Sequence, residues 1–194
     1  MSHIEKIKEL RNATGISLME CRKALEKAAG DIEKAKKILR EEGKKMIRDK
    51  ATKSACEGII SAYIHPGAKL GVMLDLKCET DFAAKSEAFK ELAHELCLQI
   101  AAAKPLFIDE ESIPEEKLRE EKEIYEKQLR KSGKPEDVIR KAVEGRIKKY
   151  KEEVCLLLQT WIKDASKTVK DLIEDYAAKI GEKIEVARFV RYEI

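Results

Sequence analysis

The chain has 194 residues, 43% hydrophobic, 40% charged and 5% aromatic, with 40 basic against 37 acidic side chains for a net charge of +3. That length holds one ordinary domain and a small accessory one around a real core, and Lys and Glu in such excess predict long solvated helices. The two signs are interspersed, whereas nucleic-acid binders segregate their basic residues, so direct nucleic-acid binding is disfavoured and the modest run Lys44, Lys45, Arg48, Lys50, Lys53 reads as a solvated linker.

Residues 3 to 42 predict three short helices. Ile4, Ile7 and Leu10 form the first stripe, broken at Thr14-Gly15. Ser17-Leu18-Met19-Glu20 has the form of a capping box, and Leu18, Cys21, Ala24, Leu25 and Ala28 share the next face. Gly30 suits a helix end and Asp31 a cap. Ile32, Ala35, Ile38 and Leu39 complete the third stripe, with Gly43 as its expected stop. Residues 44–56 are charged, lack an apolar period and read as a linker.

From Gly58 the period changes to two. Ile60, Ala62 and Ile64 alternate with Ser61, Tyr63 and His65; Pro66-Gly67 turns the chain; Leu70, Val72, Leu74 and Leu76 alternate in return. This predicts an antiparallel hairpin with one buried face. Cys78-Glu79-Thr80-Asp81-Phe82-Ala83-Ala84-Lys85 follows, and then a helix with Phe89, Leu92, Ala93, Leu96, Ile100 and Ala103 as its stripe. His94 projects from the opposite side, exposed or at an interface. Lys104-Pro105 ends that helix. Two acidic-started helices follow Pro114 and Pro135, joined by Ser132-Gly133-Lys134-Pro135. Their thin apolar content predicts a projecting helical hairpin at about 114–151. Val154 to Ile162 reads as irregular or short extended chain. Ser166 or Thr168 caps a last helix through Ile180, and Ile184 to Tyr192 is a terminal strand with a bulge near Ala187-Arg188-Phe189. The expected class is α+β, with a three-helix unit over 1–43, the linker 44–56, and a unit over 57–194 whose three-stranded antiparallel sheet is covered by helices.

Chemical signatures are few. The five cysteines include no C-x-x-C pair, and His3, His65 and His94 are scattered, which points to free thiols in a reducing compartment and to no metal or cofactor. Cys97 and His94 lie near each other without an oxyanion motif or an orienting third group, so a thiol enzyme is disfavoured. No apolar run approaches the ~20 residues of a membrane span and no signal segment is read, so a cytoplasmic chain without membrane contact is expected. Two sites remain with two readings each. Thr14 to Met19 is a turn with core side chains, or an exposed contact for a partner. Thr80-Asp81-Phe82 is a cap with a core aromatic, or a carboxylate and an aromatic presented to another protein.

At these residues the chain resembles a known family. Cys78-Glu79-Thr80-Asp81-Phe82-Ala83-Ala84-Lys85 is similar to the signature of translation elongation factor Ts. Leu10-Arg11-x-x-Thr14-Gly15 through Cys21-x-x-Ala24-Leu25 resembles that family's ubiquitin-associated-like N-terminal domain. Ala102-Ala103-Lys104-Pro105, Ser132-Gly133-Lys134-Pro135, Glu144-Gly145-Arg146, Ser166-Lys167-Thr168-Val169 and Arg188-Phe189-Val190-Arg191-Tyr192-Glu193 follow in the family's order.

The resemblance implies a guanine-nucleotide exchange factor for elongation factor Tu, acting by binding and without bond-making chemistry. Phe82 becomes a wedge with Asp81 as its polar companion near the partner's magnesium, supported by Thr80 and Ala83. Thr14, Gly15 and Met19 become the N-terminal contact and His94 a core contact. One three-stranded core resembles the short form of the family, which implies a homodimer. Ala83 stands where the family commonly has Val, and Lys44 to Ser54 lacks the usual Ala/Lys-rich linker pattern. The competing class is a helical binding scaffold without exchange activity.

Overall fold

A computed structural model describes residues 2–14, 16, 18–49, 55–131 and 135–194, with 43–49 described by backbone alone. Gly15, the expected cap Ser17, residues 50–54 of the expected linker and residues 132–134 of the expected turn lie outside the described residues.

Three helices open the chain, α1 (His3–Thr14), α2 (Leu18–Lys27) and α3 (Ile32–Asp49). Their stripes converge on Leu10, Cys21, Ala24, Leu25, Ala28, Ala35 and Leu39, a cluster separate from the main core. The α2–α3 corner forms as expected. Gly30 takes a left-handed φ of 82° and the Asp31 carboxylate accepts from Lys34 N at 3.0 Å. Two expectations change. Gly43 does not stop α3, which continues to Asp49; a glycine weakens a helix interior by only about 1 kcal/mol, so it ends one only where a terminating turn is also supplied. Leu18 joins Met19 at the surface, the two being 47% and 62% exposed.

The second unit is built on a sheet of order β1-β2-β5, all antiparallel, from β1 (Glu57–Ile64), β2 (Leu70–Cys78) and β5 (Ile184–Glu193). Gly58 permits close strand approach, since a Cβ there would sit 2.1 Å from the Leu76 carbonyl oxygen. The expected bulge in β5 is present, with Asp75 opposite Arg188 and Leu76 opposite Val186, so Ala187 is skipped. Val72, Leu74, Leu76 and Cys78 point into the main core, with Ile59, Tyr63, Val186 and Phe189 packed beside them. The phase of β1 is therefore set by Ile59, Ser61 and Tyr63. Ile60, Ala62 and Ile64 lie on the outer face, where Ile60 and Ile64 are 58% and 64% exposed.

Between β2 and β5 run α4 (Asp81–Lys85), α5 (Glu87–Ala103), α6 (Glu115–Arg130), α7 (Glu136–Val154), the short pair β3 (Thr160–Trp161) and β4 (Asp164–Thr168), and α8 (Val169–Ile180). A 3-10 turn, Leu156–Leu158, joins α7 to β3, so the span expected as irregular or short extended chain, Val154 to Ile162, holds a short extended segment at Thr160–Trp161 after the last turn of α7 and that 3-10 turn. Helix α5 buries a broad face and leaves Glu87, Lys90, Glu91 and His94 exposed: Phe89, Leu92, Leu96 and Ile100 are fully hidden, and so is Gln99. Gln99 is satisfied by Gln159 Oε1, Thr160 O and the Ile162 amide. Helices α5 and α8 cover one face of the sheet. Helices α6 and α7 pair with each other; α6 buries no residue and α7 buries Ile139 and Val143, as a projecting hairpin requires. Thr168 starts α8 with a complete capping box to Asp171.

Candidate functional site

The β2-to-α5 junction is organised by three residue types with different tasks. Strand β2 ends on the buried Cys78, whose thiol donates to the Thr80 carbonyl at 3.2 Å; burial pushes that thiol's pKa up. Thr80 leaves the strand with extended backbone (φ −128°, ψ 155°), and its hydroxyl accepts from Ala83 N at 3.2 Å. It is the N-cap of α4, and such a cap is worth about 1 kcal/mol. Ala83 and Ala84 are buried in the core and hold α4 down. Asp81 and Phe82 are the residues left to point away.

Phe82 is 83% exposed, so it does not anchor the turn in the core. Leaving a phenylalanine in water forgoes about 2 kcal/mol of burial. Asp81 stands beside it, with Lys85 donating to Asp81 Oδ2 at 2.8 Å. That hydrogen bond holds the Asp81 carboxyl below the usual carboxylate range and raises the Lys85 ammonium in turn. Asp81 is therefore an anion at neutral pH.

The other expected site residues lie apart from this junction. Thr14 closes α1 with its hydroxyl turned inward, donating to the Leu10 carbonyl at 2.7 Å. Met19, at the start of α2, is exposed with Leu18, so the first turn of that helix presents two apolar side chains to solvent. His94 is exposed on α5, its ring 6.1 Å from that of Tyr63 on β1. The three-helix unit reaches the second unit through α3 and α8, where Arg40 pairs with Asp171 at 3.5 Å and Asp175 at 3.1 Å.

A family model described as Elongation factor TS matches residues 5–194. Similar curated proteins named elongation factor Ts include those of Desulforamulus reducens (50% identical, covering 97% of this chain and 87% of that one) and Thermotoga petrophila (50%, covering 98% and 95%). A third, from Moorella thermoacetica, is 49% identical over 97% of this chain and 93% of its own. The chain belongs to the elongation factor Ts family. The match runs through both units, so Thr14, Met19, Thr80 to Ala83 and His94 all lie within the span shared with these translation elongation factors.

Two further features of this elongation factor Ts family member escaped sequence reasoning. Glu182, just past α8, binds the backbone of Glu79 and Thr80 from a distance of about a hundred residues in sequence. The outer face of the sheet gathers Ile60, Ile64, Met73, Val190 and Tyr192, all exposed. The adjacent Ile59-Ile60 pair is the one sequence signal that both faces of β1 are apolar. Among the described residues no group of three or more His, Cys, Asp or Glu could hold a metal, and no helix is long and apolar enough to cross a membrane.

Proposed function

We propose that this chain is a guanine-nucleotide exchange factor that binds elongation factor Tu in its GDP-bound form, promotes GDP release, and is displaced when GTP binds. The observation that carries the reading is Phe82, 83% exposed at a helix start held by the Thr80 cap and the buried Ala83 and Ala84. An aromatic presented in this way suits insertion into a pocket on a partner, where hiding the ring contributes about 2 kcal/mol.

In this reading Thr80, Asp81, Phe82 and Ala83 form the element that displaces magnesium on the partner. Asp81 brings a negative charge to a magnesium and phosphate site, where it repels phosphate oxygens and competes for the metal. Its pairing with Lys85 is an exposed i,i+4 contact, which is weak and little obstacle to redirection. Binding of the chain and binding of GDP then weaken each other by the same factor, as linkage requires. The partner keeps the nucleotide chemistry; the chain works through contact alone and needs no cofactor.

The division into a three-helix unit (1–43), a linker (44–56) and a core unit (57–194) serves this function as a two-point grip. Thr14, Gly15 and Met19 hold the partner's nucleotide domain while the core unit, including His94, holds a second region. Two tethered contacts raise each other's effective concentration, so binding survives when one of them is weakened. The exposed apolar outer face of the sheet supports a homodimer in which that face meets its own copy. The expected setting is the cytoplasm.

The test is the double variant Asp81→Ala/Phe82→Ala. It should still bind elongation factor Tu through the N-terminal contact yet lose most of its acceleration of GDP release. Undiminished acceleration would refute the wedge.

A further inference from the structure

The exposed tip has little support of its own. Helix α4 has five residues, far below the length at which a helix is stable by itself. Phe82 stands in solvent, and Asp81 is paired with a residue of the same helix. The direction in which these two side chains point is therefore set by what holds the start of α4.

That support comes from Glu182. Its Oε2 accepts from Glu79 N at 3.1 Å and Thr80 N at 3.0 Å, and its Oε1 accepts from Thr80 Oγ1 at 2.6 Å. In return Lys183 N donates to Glu79 Oε1 at 2.9 Å, closing a ring of hydrogen bonds between the end of β2 and the entry to β5. Gly181, at a left-handed φ of 83°, ends α8 and turns Glu182 toward the junction.

The Thr80 hydroxyl is the centre of this arrangement. It has one hydrogen and two lone pairs. With the hydrogen given to Glu182, a lone pair is left facing Ala83 N, the bond that caps α4. Glu182 thus fixes both the place of the cap and the polarity of its hydroxyl. A charged acceptor makes these bonds stronger than a neutral one would.

From this geometry we infer that Glu182 is a positioning residue for the Asp81-Phe82 probe, aiming it through Thr80 without touching the partner. The inference rests on the exchange reading above. A residue that acts only through the probe must lose its effect when the probe is removed, whereas one that merely stabilises the fold keeps its effect in either background.

The experiment is a double-mutant cycle on GDP release from elongation factor Tu, measured over a range of partner concentrations. In the wild-type background Glu182→Ala should lower the maximal exchange rate roughly tenfold with KM within about twofold, since aim is lost and the N-terminal contact is kept. In the Asp81→Ala/Phe82→Ala background the same change should lower it no further. Amide hydrogen exchange at Glu79 and Thr80 should accelerate in step. Should Glu182→Ala melt below the assay temperature, Glu182→Gln carries the same cycle with a smaller expected loss, because it keeps the shape while removing the negative charge that strengthens the bonds to Glu79 and Thr80. Equal losses in both backgrounds, or no loss in the wild-type background, would overturn the positioning role alone. A wild-type chain that leaves GDP release unchanged would overturn the exchange reading and the positioning role with it.

Discussion

Replacing Ile64 by lysine should separate the proposed homodimer into single chains without unfolding them. Ile64 is 64% exposed on the outer face of β1, with its Cδ1 lying over Gly71 of β2, where the lack of a side chain leaves it room. Fully hiding an isoleucine contributes about 1.5–3 kcal/mol, so the area still exposed here is worth about 1.5 kcal/mol on pairing. In a two-fold interface each substitution counts twice, which gives about 3 kcal/mol or more than a hundredfold in Kd. Two lysines brought together in an apolar interface add to that loss. The assay is sedimentation equilibrium over a concentration series, with wild type expected at twice the 22.1 kDa of one chain and the variant at one. Melting of the isolated chain should shift little, because Ile64 points away from the core. A variant that stays dimeric, or a wild type that stays monomeric at tens of micromolar concentration, would refute the assignment of this face.

Acid should loosen the tie between α5 and β5. Arg191 and Lys104 hold the Glu193 carboxyl down at about 2, against an ordinary 4.5. A lowered folded-state value means that the stabilisation is complete above about 4.5 and is lost as pH falls toward 2. The gap in melting midpoint between wild type and Glu193→Gln should therefore narrow below about pH 4.5 and shrink with added salt; a gap constant from pH 6 to 3 would contradict the pairing. A thiol reagent should label Cys56 quickly in the native chain and the other four cysteines only slowly, since Cys21, Cys78, Cys97 and Cys155 are buried and burial raises their pKa values, Cys155 to about 11. Rapid reaction of more than one thiol without denaturant would contradict that packing.

Local rules carried most of the architecture. Gly30 with Asp31 and the Pro66-Gly67 turn each pair a backbone need with a residue that meets it and appear where the sequence places them, and of the two caps it offered for the last helix, Ser166 and Thr168, the structure uses Thr168. Periodicity failed where it was ambiguous. Ile59 and Ile60 are adjacent, so an alternating pattern can start from either, and the outward set was as apolar as the inward one. Gly43 has the composition of a stop signal inside a helix that continues to Asp49. The exposure of Phe82 could not be read from spacing, because an aromatic beside a cap packs inward as readily as outward. Glu182 was invisible for another reason: its bonds to Glu79 and Thr80 join residues more than a hundred positions apart, and nothing local marks it.

The measurement that bears most directly on function is GDP release from elongation factor Tu loaded with a fluorescent GDP, chased with unlabelled nucleotide, in the presence of catalytic amounts of this chain. Release should accelerate in proportion to added chain, with each molecule serving many partners. Release at the spontaneous rate, with binding to the partner verified, would contradict the account and leave a binding scaffold in its place.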